Sequence, residues 1–352
     1  MHAHGYAATS PEAPLSPYEF ERRALRPDDV AIAIDYCGIC HSDLHLARNE
    51  WGGTAYPIVL GHEIIGRVIE TGREVKGLAP GDRVGVGCMV DSCRHCLPCL
   101  EGIEQYCENG YTATAGGPDG DGGITHGGFS DRIVVRQEFV LRVPEGLDAA
   151  AAAPLLCAGV TTYSPMKHWK VGPGSRVGIL GIGGLGHIAI KLAKALGAHV
   201  TAFTSSAGKE AEVRALGADA VIVGNDPQRL SGLTGSLDLI LNTVSAPMDL
   251  NPYIGLLRLD GAMVMLGAPA GTHRAPMMWL LESHRRSIAG SIIGGIPETQ
   301  EMLDLCARHG IGCDIELMRP EQINEAFDRL ERGDVKFRFV VDMRSPDARP
   351  LG

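Results

Sequence analysis

Apolar residues fall in two textures along the chain. Up to about residue 150 they come in short runs broken by glycine and proline, as in Val30-Ala31-Ile32-Ala33-Ile34 and Ile64-Ile65-Gly66-Arg67-Val68-Ile69. Such runs predict strands over 30–34, 64–69, 83–86 and 133–135, and a mostly β domain. From about residue 153 extended runs alternate with helical spacing. Strands are expected over 176–180, 200–203, 220–223, 237–241, 263–266 and 287–293. Between them lie a helix over 185–196, with Ile188, Leu192 and Leu196 on one face, and another over 208–216. Six strands alternating with helices predict an α/β, doubly wound parallel sheet. The tail returns to the first texture. Ile323, Phe327 and Leu330 predict a helix over 320–331, and Phe337, Phe339 and Val341 alternate as a strand. The α/β domain over 154–293 therefore reads as an insertion into a mostly β domain made of 1–153 and 294–352. No internal repeat is visible, and the only low-complexity stretch is the alanine run at 149–153.

Composition narrows the function classes. The 352 residues are 45% hydrophobic and 21% charged, enough apolar surface for sizeable cores. Forty-two acidic against 32 basic residues give a net charge of −10, so nucleic acid and anionic membranes are poor partners. The longest apolar run, 149–160, has 12 residues and contains Pro154, short of the roughly 18 of a spanning helix. The opening residues lack a basic stretch followed by an apolar one, which predicts a cytoplasmic location. Ten cysteines in such a chain point to metal or catalysis before disulfides.

Cys93, Cys96, Cys99 and Cys107 lie within 15 residues, the spacing of a closed tetrahedral zinc site. Unpaired loop cysteines or a redox CxxC fit three staggered pairs of thiols poorly. With four thiolates no position is left for substrate, so such a zinc is structural. His95 and Cys88 nearby read as bystanders. A second set is dispersed: Cys40 in Cys40-His41-Ser42-Asp43-Leu44-His45, His62 in Gly61-His62-Glu63, and Cys157. Two thiolates and an imidazole with an open fourth position make a catalytic zinc arrangement. Taken singly, Cys157 reads better as a small buried hydrophobe at a helix start.

Gly181-Ile182-Gly183-Gly184-Leu185-Gly186 directly follows a predicted strand and opens a predicted helix. That context makes it a dinucleotide loop, in which glycines allow a tight turn and close approach to pyrophosphate. An acid that would hold the ribose is expected about 20 residues on. Instead the chain reads Thr204-Ser205-Ser206-Ala207-Gly208-Lys209, with no Asp or Glu between 200 and 209. An acid would repel a 2′-phosphate, whereas small hydroxyls and Lys209 would accept it. A plain polar loop explains Ser206 alone, but Lys209 favours NADP over NAD.

In this order the motifs resemble the zinc-dependent medium-chain alcohol dehydrogenases, from about residue 5 to 343. The segments 36–45, 154–165 and 290–303 are most similar to the cinnamyl alcohol dehydrogenase branch, and within it to bacterial broad-specificity aldehyde reductases. The resemblance implies a GroES-like catalytic domain with a structural zinc lobe at about 88–112, and a Rossmann domain. It implies two Zn2+ per chain, NADP(H), and assembly as a homodimer, with a tetramer as the alternative. Cys40, His62 and Cys157 would ligate the catalytic zinc, with Glu63 behind it or as a transient ligand. Asp43 would orient His62. Ser42 would carry the alcohol proton toward His45 through the cofactor ribose. His41 would approach the pyrophosphate, Thr161 would pack behind the nicotinamide, and Leu266, Ser291 and Ile293 would meet the carboxamide. Trp51, Tyr111 and Ile292 would line the substrate pocket, although ordinary packing explains them nearly as well. Ser42 stands where many relatives carry threonine, which keeps the hydroxyl and alters the width.

The expected reaction is reversible hydride transfer between NADP(H) and primary alcohols or aldehydes, running mainly as reduction of aromatic and medium aliphatic aldehydes. An NAD-dependent polyol or amino-alcohol dehydrogenase on the same scaffold is the alternative, and a non-catalytic zinc and nucleotide sensor a remoter one.

Overall fold

The computed structural model describes all residues except 121, 225–226, 268–271, 275–283 and 345–352. The chain divides into two compact units, Met1–Cys157 with Gly294–Gly352, and Ala158–Ile293. The first unit runs on to Cys157, past the boundary expected at 153. The short 3-10 turn Ala153–Leu156 is fully buried and packs against the strands of that unit.

A seven-stranded sheet forms the first unit. Its order is Leu141–Arg142, Arg83–Val86, Ile64–Thr71, Asp29–Ile39, Arg338–Asp342 and Ile315–Met318, with Arg132–Arg136 also on Asp29–Ile39. All pairs are antiparallel except Ile315–Met318 with Arg338–Asp342. Asp29–Ile39 is the spine. Its Val30, Ala31 and Ile32 are all fully buried, because neighbours cover both of its faces, and irregularities in its register bend it along Ile64–Thr71. A second sheet orders Ser16–Glu21, His2–Ala8 and Ile58–Val59. These N-terminal strands lie outside the sequence expectation: Ala3, Gly5 and Ala7 carry too little side chain to signal alternation. Gly5 is required there, since a Cβ would stand 2.5 Å from the Phe129 carbonyl oxygen.

The tail supplies two helices to this unit. Ile296–His309 has Pro297 in its first turn and ends at Gly310, left-handed at φ 63°. Ile323–Glu331 buries Ile323, Ala326, Phe327 and Leu330, one stripe at helical spacing. The last strand is Arg338–Asp342 and departs from the expected alternation. Phe339, Val340 and Val341 are all buried, and Phe337 precedes the strand with φ 72°.

The second unit is a six-stranded parallel sheet. Its order is Ala220–Val223, His199–Thr204, Arg176–Leu180, Leu237–Asn242, Leu257–Met265 and Ser287–Gly290. Numbered within the unit this is 3-2-1-4-5-6, with the order reversing between Arg176–Leu180 and Leu237–Asn242, where doubly wound sheets bind ligands. On one face Leu180, Phe203, Ile240, Tyr253, Ile254 and Met263 form the core, with Phe203 and Tyr253 edge to face at 5.6 Å. No helix among the described residues is long and apolar enough to cross a membrane.

Candidate metal centres and nucleotide loop

The first unit brings Cys40, His62, Glu63 and Cys157 together, with one donor atom from each within 4.8 Å of the others. Cys40 is the extended residue that caps the helix His41–Ala47. Asp43, in the first turn, reaches back to accept the Cys40 backbone N–H at 2.9 Å through one carboxylate oxygen. The other oxygen accepts the Gly61 N–H at 3.0 Å and faces His62 Nδ1 at 3.1 Å. A fully buried carboxylate thus ties the helix cap to the loop carrying His62. It also fixes the tautomer: Nδ1 donates to Asp43, leaving Nε2 for a metal or for the Ser42 hydroxyl, 3.3 Å away.

The donor set suits zinc. Thiolate sulfurs each about 2.3 Å from a tetrahedral zinc stand about 3.8 Å apart. Cys40 and Cys157 Sγ are 4.0 Å apart, and all ten cysteines are free of disulfides. The Cys40 thiol lies well below its ordinary pKa, pulled first by the hydrogen bond from Cys157 and then, against burial, by His62 and the Arg338 charge. For His62, burial opposes the proton, but the Asp43 charge and hydrogen bond outweigh it and the net shift is upward.

Glu63 is fully buried and pairs with Arg338, itself 7% exposed. Burial pushes the carboxyl up, to about 7, against the pull of Arg338. Its Oε2 is covered and has no hydrogen-bond partner among the described residues. A Cβ on Gly38 would stand 1.9 Å from that oxygen, so only glycine leaves room for the carboxylate. An orphaned carboxylate oxygen behind two thiols and an imidazole fits a cation beside it. Arg338 has no sequence signal, since it stands 275 positions from Glu63.

Cys88, set aside in the sequence with His95, stands against this cluster. Its thiol bonds the Leu156 carbonyl at 3.9 Å and the Cys157 thiol. Tyr111 is partly buried here as well. Burial raises its phenol, the Cys88 thiol adds to the shift and His62 opposes it. His45 Nδ1 pairs with Glu50, and its ring lies 4.9 Å from that of Trp51, which is 55% exposed. His41 is exposed, 6.2 Å from His45 ring to ring, and partial desolvation lowers its pKa.

The second centre is Cys93, Cys96, Cys99 and Cys107. Its Cys93–Cys99, Cys96–Cys99 and Cys96–Cys107 sulfur spacings of 3.8, 3.4 and 3.9 Å again match thiolates around one tetrahedral ion. Backbone N–H groups, His95 first, hold the Cys93 thiol down to about 5. The His95 ring turns away, 2.7 Å from the Cys93 carbonyl oxygen, and is no ligand.

In the second unit the glycine loop ends the strand Arg176–Leu180 and opens the helix Gly186–Ala195. Gly181 has φ 87° and accepts the Thr243 hydroxyl at 2.8 Å. A Cβ on Gly186 would lie 2.0 Å from the Gly181 oxygen, so helix and strand touch through bare backbone. A Cβ on Gly183 would meet nothing within 4 Å. The helix is thus packed tightly below, with open space where a pyrophosphate would approach, next to Gly184 and Leu185. The next strand ends at Thr204, whose hydroxyl accepts the Ser206 N–H at 3.2 Å. Ser205 and Ser206 are exposed, and Lys209 closes the turn Ala207–Lys209. Thr161 is buried on the helix Ala158–His168. Leu266 and Ser291 are half-buried at strand ends, their N–H groups held by Asn242 and Met265. Ile292 is 48% exposed, and Ile293 holds φ 39°, a strained value for a β-branched residue.

Two family models match the chain: the alcohol dehydrogenase GroES-like domain over residues 26–145 and the zinc-binding dehydrogenase over 184–308. The aldehyde reductase YahK of Escherichia coli is 55% identical over 96% of this chain and 97% of its own length. The chain belongs to the zinc-dependent medium-chain alcohol dehydrogenases. The NADP-dependent alcohol dehydrogenase C 1 of Mycolicibacterium smegmatis is 54% identical over 97% of each chain. Among solved structures, a cinnamyl alcohol dehydrogenase of Sorghum bicolor superposes with a TM-score of 0.95 at 44% identity, covering all of both chains. The mostly β unit is therefore a GroES-like domain, the parallel sheet a Rossmann-like nucleotide-binding domain, and the protein a zinc-dependent oxidoreductase.

Proposed function

We propose that this enzyme reduces aromatic and medium aliphatic aldehydes to primary alcohols with NADPH, and catalyses the reverse reaction. The observation that carries the reading is the cluster of Cys40, His62 and Cys157 with the Ser42 hydroxyl at its edge. These three side chains would hold the catalytic zinc, and Cys93, Cys96, Cys99 and Cys107 the structural one. When bound, zinc would act as a Lewis acid on the carbonyl oxygen and NADPH would supply hydride to the carbonyl carbon.

The protein's own residues do the rest. Asp43 keeps His62 in the tautomer that offers Nε2. The Ser42 hydroxyl gives a proton to the nascent alkoxide oxygen and is reprotonated along a path ending at His45, which Glu50 orients. Glu63 and Arg338 place a compensated charge behind the ligands. The loop Gly181–Gly186 receives the pyrophosphate. Thr161 backs the nicotinamide, and backbone groups of Leu266, Ser291 and Ile293 hold its carboxamide. Thr204, Ser205, Ser206 and Lys209 accept the 2′-phosphate. Trp51, Tyr111 and Ile292 offer apolar surface to the substrate, which favours benzaldehyde over polyols whose hydroxyls would lose water without replacement. The relatives named for NADP-dependent alcohol dehydrogenase and aldehyde reductase activity support this choice. We also place the enzyme in the cytoplasm as a homodimer.

The test is kcat/KM for benzaldehyde, cinnamaldehyde and butanal with NADPH and with NADH, against oxidation of sorbitol and threonine. Efficient aldehyde reduction with NADPH is expected. A preference for sorbitol or threonine with NAD would overturn the substrate and cofactor assignments together.

A further inference from the structure

The N-terminal hairpin carries a third cluster of donor atoms, apart from both cysteine centres. His2 and His4 stand two positions apart on the strand His2–Ala8 and so share a face. The antiparallel register sets Glu19 opposite His4 and Glu21 opposite His2. One atom each of His2, His4 and Glu19 lies within 4.8 Å of the others. Glu19 reaches both rings, with Oε2 at 3.5 Å from His2 Nε2 and Oε1 at 3.8 Å from His4 Nδ1. The two rings meet edge to face at 4.7 Å. His4 Nδ1 is covered and makes no hydrogen bond among the described residues. Glu21 is held by the Met1 amino group at 3.0 Å and faces His2 Nδ1 at 3.2 Å, whereas Glu19 reaches both rings and is the bridging carboxylate.

We propose that His2, His4 and Glu19 form a surface site for a divalent first-row transition metal, distinct from the two zinc centres. The two imidazoles are borderline nitrogen donors, and beside one carboxylate they favour such ions over magnesium or calcium. Three ligands leave positions for water. The strand pairing already sets the backbone spacing, so binding orders only three side chains. His4 Nδ1, without a hydrogen bond, gains a partner in the ion. The bound ion would join the strands His2–Ala8 and Ser16–Glu21 by their side chains.

The test uses the intact, zinc-loaded enzyme and Ni2+ as the probe. After equilibrium dialysis, metals are counted by mass spectrometry. One nickel per chain is expected with the zinc content unchanged. His4→Gln and Glu19→Gln should each weaken nickel binding by at least the roughly 10–100-fold that loss of an outer partner of a metal site costs. Aldehyde turnover should stay at the parent level in both, which shows that they are folded. His2→Gln, at a more exposed position, repeats the test if His4→Gln does not fold. Absence of nickel uptake, uptake that survives these substitutions, or uptake only as zinc is lost would each overturn the site.

Discussion

At the scale of single residues, the catalytic cluster depends on groups that sequence spacing reveals unevenly. Cys40, Ser42 and Asp43 stand in one short segment, and His62 and Glu63 in another. Their residue types suggested a ligand set, whereas the relay at Ser42 and the orienting acid at Asp43 came only from the resemblance to the family. Ser42 gives the sharpest test. Ser42→Ala should lower kcat by the roughly 10²–10⁴-fold of a lost acid–base group while the KM for NADPH barely moves. Full retained activity would remove Ser42 from the proton path. Arg338 was not legible, because its meaning comes only from the buried Glu63 it meets across the sheet. Arg338→Met should leave that carboxylate uncompensated and cost about 3–5 kcal/mol, read as a fall in Tm. Adding Glu63→Gln should recover much of it, since an uncharged pair carries less desolvation penalty. His126 offers a pH readout. It is partly buried beside Arg22 and packs on Phe20, and its Nδ1 accepts the Val59 N–H at 3.3 Å. Burial first, and the Arg22 charge second, lower its pKa from 6.5 to about 4. Between those values the unfolded chain takes up a proton that the folded chain refuses. Stability should therefore fall as pH drops from 6.5 through about 4. The Tm of His126→Gln should change less over that window than the parent's, and parallel curves would refute the assignment.

At the scale of elements, the parallel sheet was readable almost strand for strand, because each βα unit repeats a short continuous apolar run followed by a period-3.6 stripe. The first unit was less so. Asp29–Ile39 and Arg338–Asp342 were expected only in part, over 30–34 and as an alternation at 337, 339 and 341 that cover on both faces removes. The helix Ile296–His309 was missed although Pro297 and Gly310 punctuate it. The zinc lobe, by contrast, is a local element that spacing alone reveals. Its helix Leu97–Leu100 leaves Leu97 and Leu100 exposed, so little apolar burial holds it. Metal binding should then supply most of its folding free energy. Cys99→Ser should reduce the zinc content from two ions per chain to one and lower the Tm, as seen by elemental analysis and calorimetry. Two zinc ions retained in the variant would contradict a four-thiolate site. The end of the strand His199–Thr204 is a second local element with a local test. Ser205→Asp puts a carboxylate at an exposed position where the 2′-phosphate is expected. The ratio of kcat/KM for NADPH over NADH should fall by roughly ten- to hundredfold, as like charges brought together at a binding surface cost about 1–3 kcal/mol. An unchanged ratio would place the phosphate elsewhere.

At the scale of the whole molecule, the chemistry is partitioned by chain segment. All eight candidate zinc donors, Cys40, His62, Glu63, Cys93, Cys96, Cys99, Cys107 and Cys157, belong to the unit Met1–Cys157 with Gly294–Gly352. The glycine loop and the strand end Thr204–Lys209 belong to Ala158–Ile293, which is folded around its own core. The insertion itself was visible in the sequence, since the tail's texture returns to that of the first 150 residues. What sequence could not supply was the meeting of Cys157 with Cys40, 117 positions apart. That partition makes metal and nucleotide separable. On the proposed assignment the two zinc centres also differ in kind: four thiolates would close one, while Cys40, His62 and Cys157 would leave the other an open position. A chelator such as dipicolinate should therefore strip the open centre first. Zinc should fall from two ions per chain to one and aldehyde turnover should vanish. The fold should persist, with Tm falling by less than in Cys99→Ser. NADPH binding, followed by nicotinamide fluorescence, should survive with Kd changed by no more than about tenfold, or roughly 1.4 kcal/mol, because the phosphate-binding loop does not depend on that metal. Re-addition of Zn2+ should restore turnover. Loss of NADPH binding in step with the first zinc would show that metal and nucleotide sites are built from the same segments, contrary to the assignment of the loop Gly181–Gly186 and Lys209 to the cofactor.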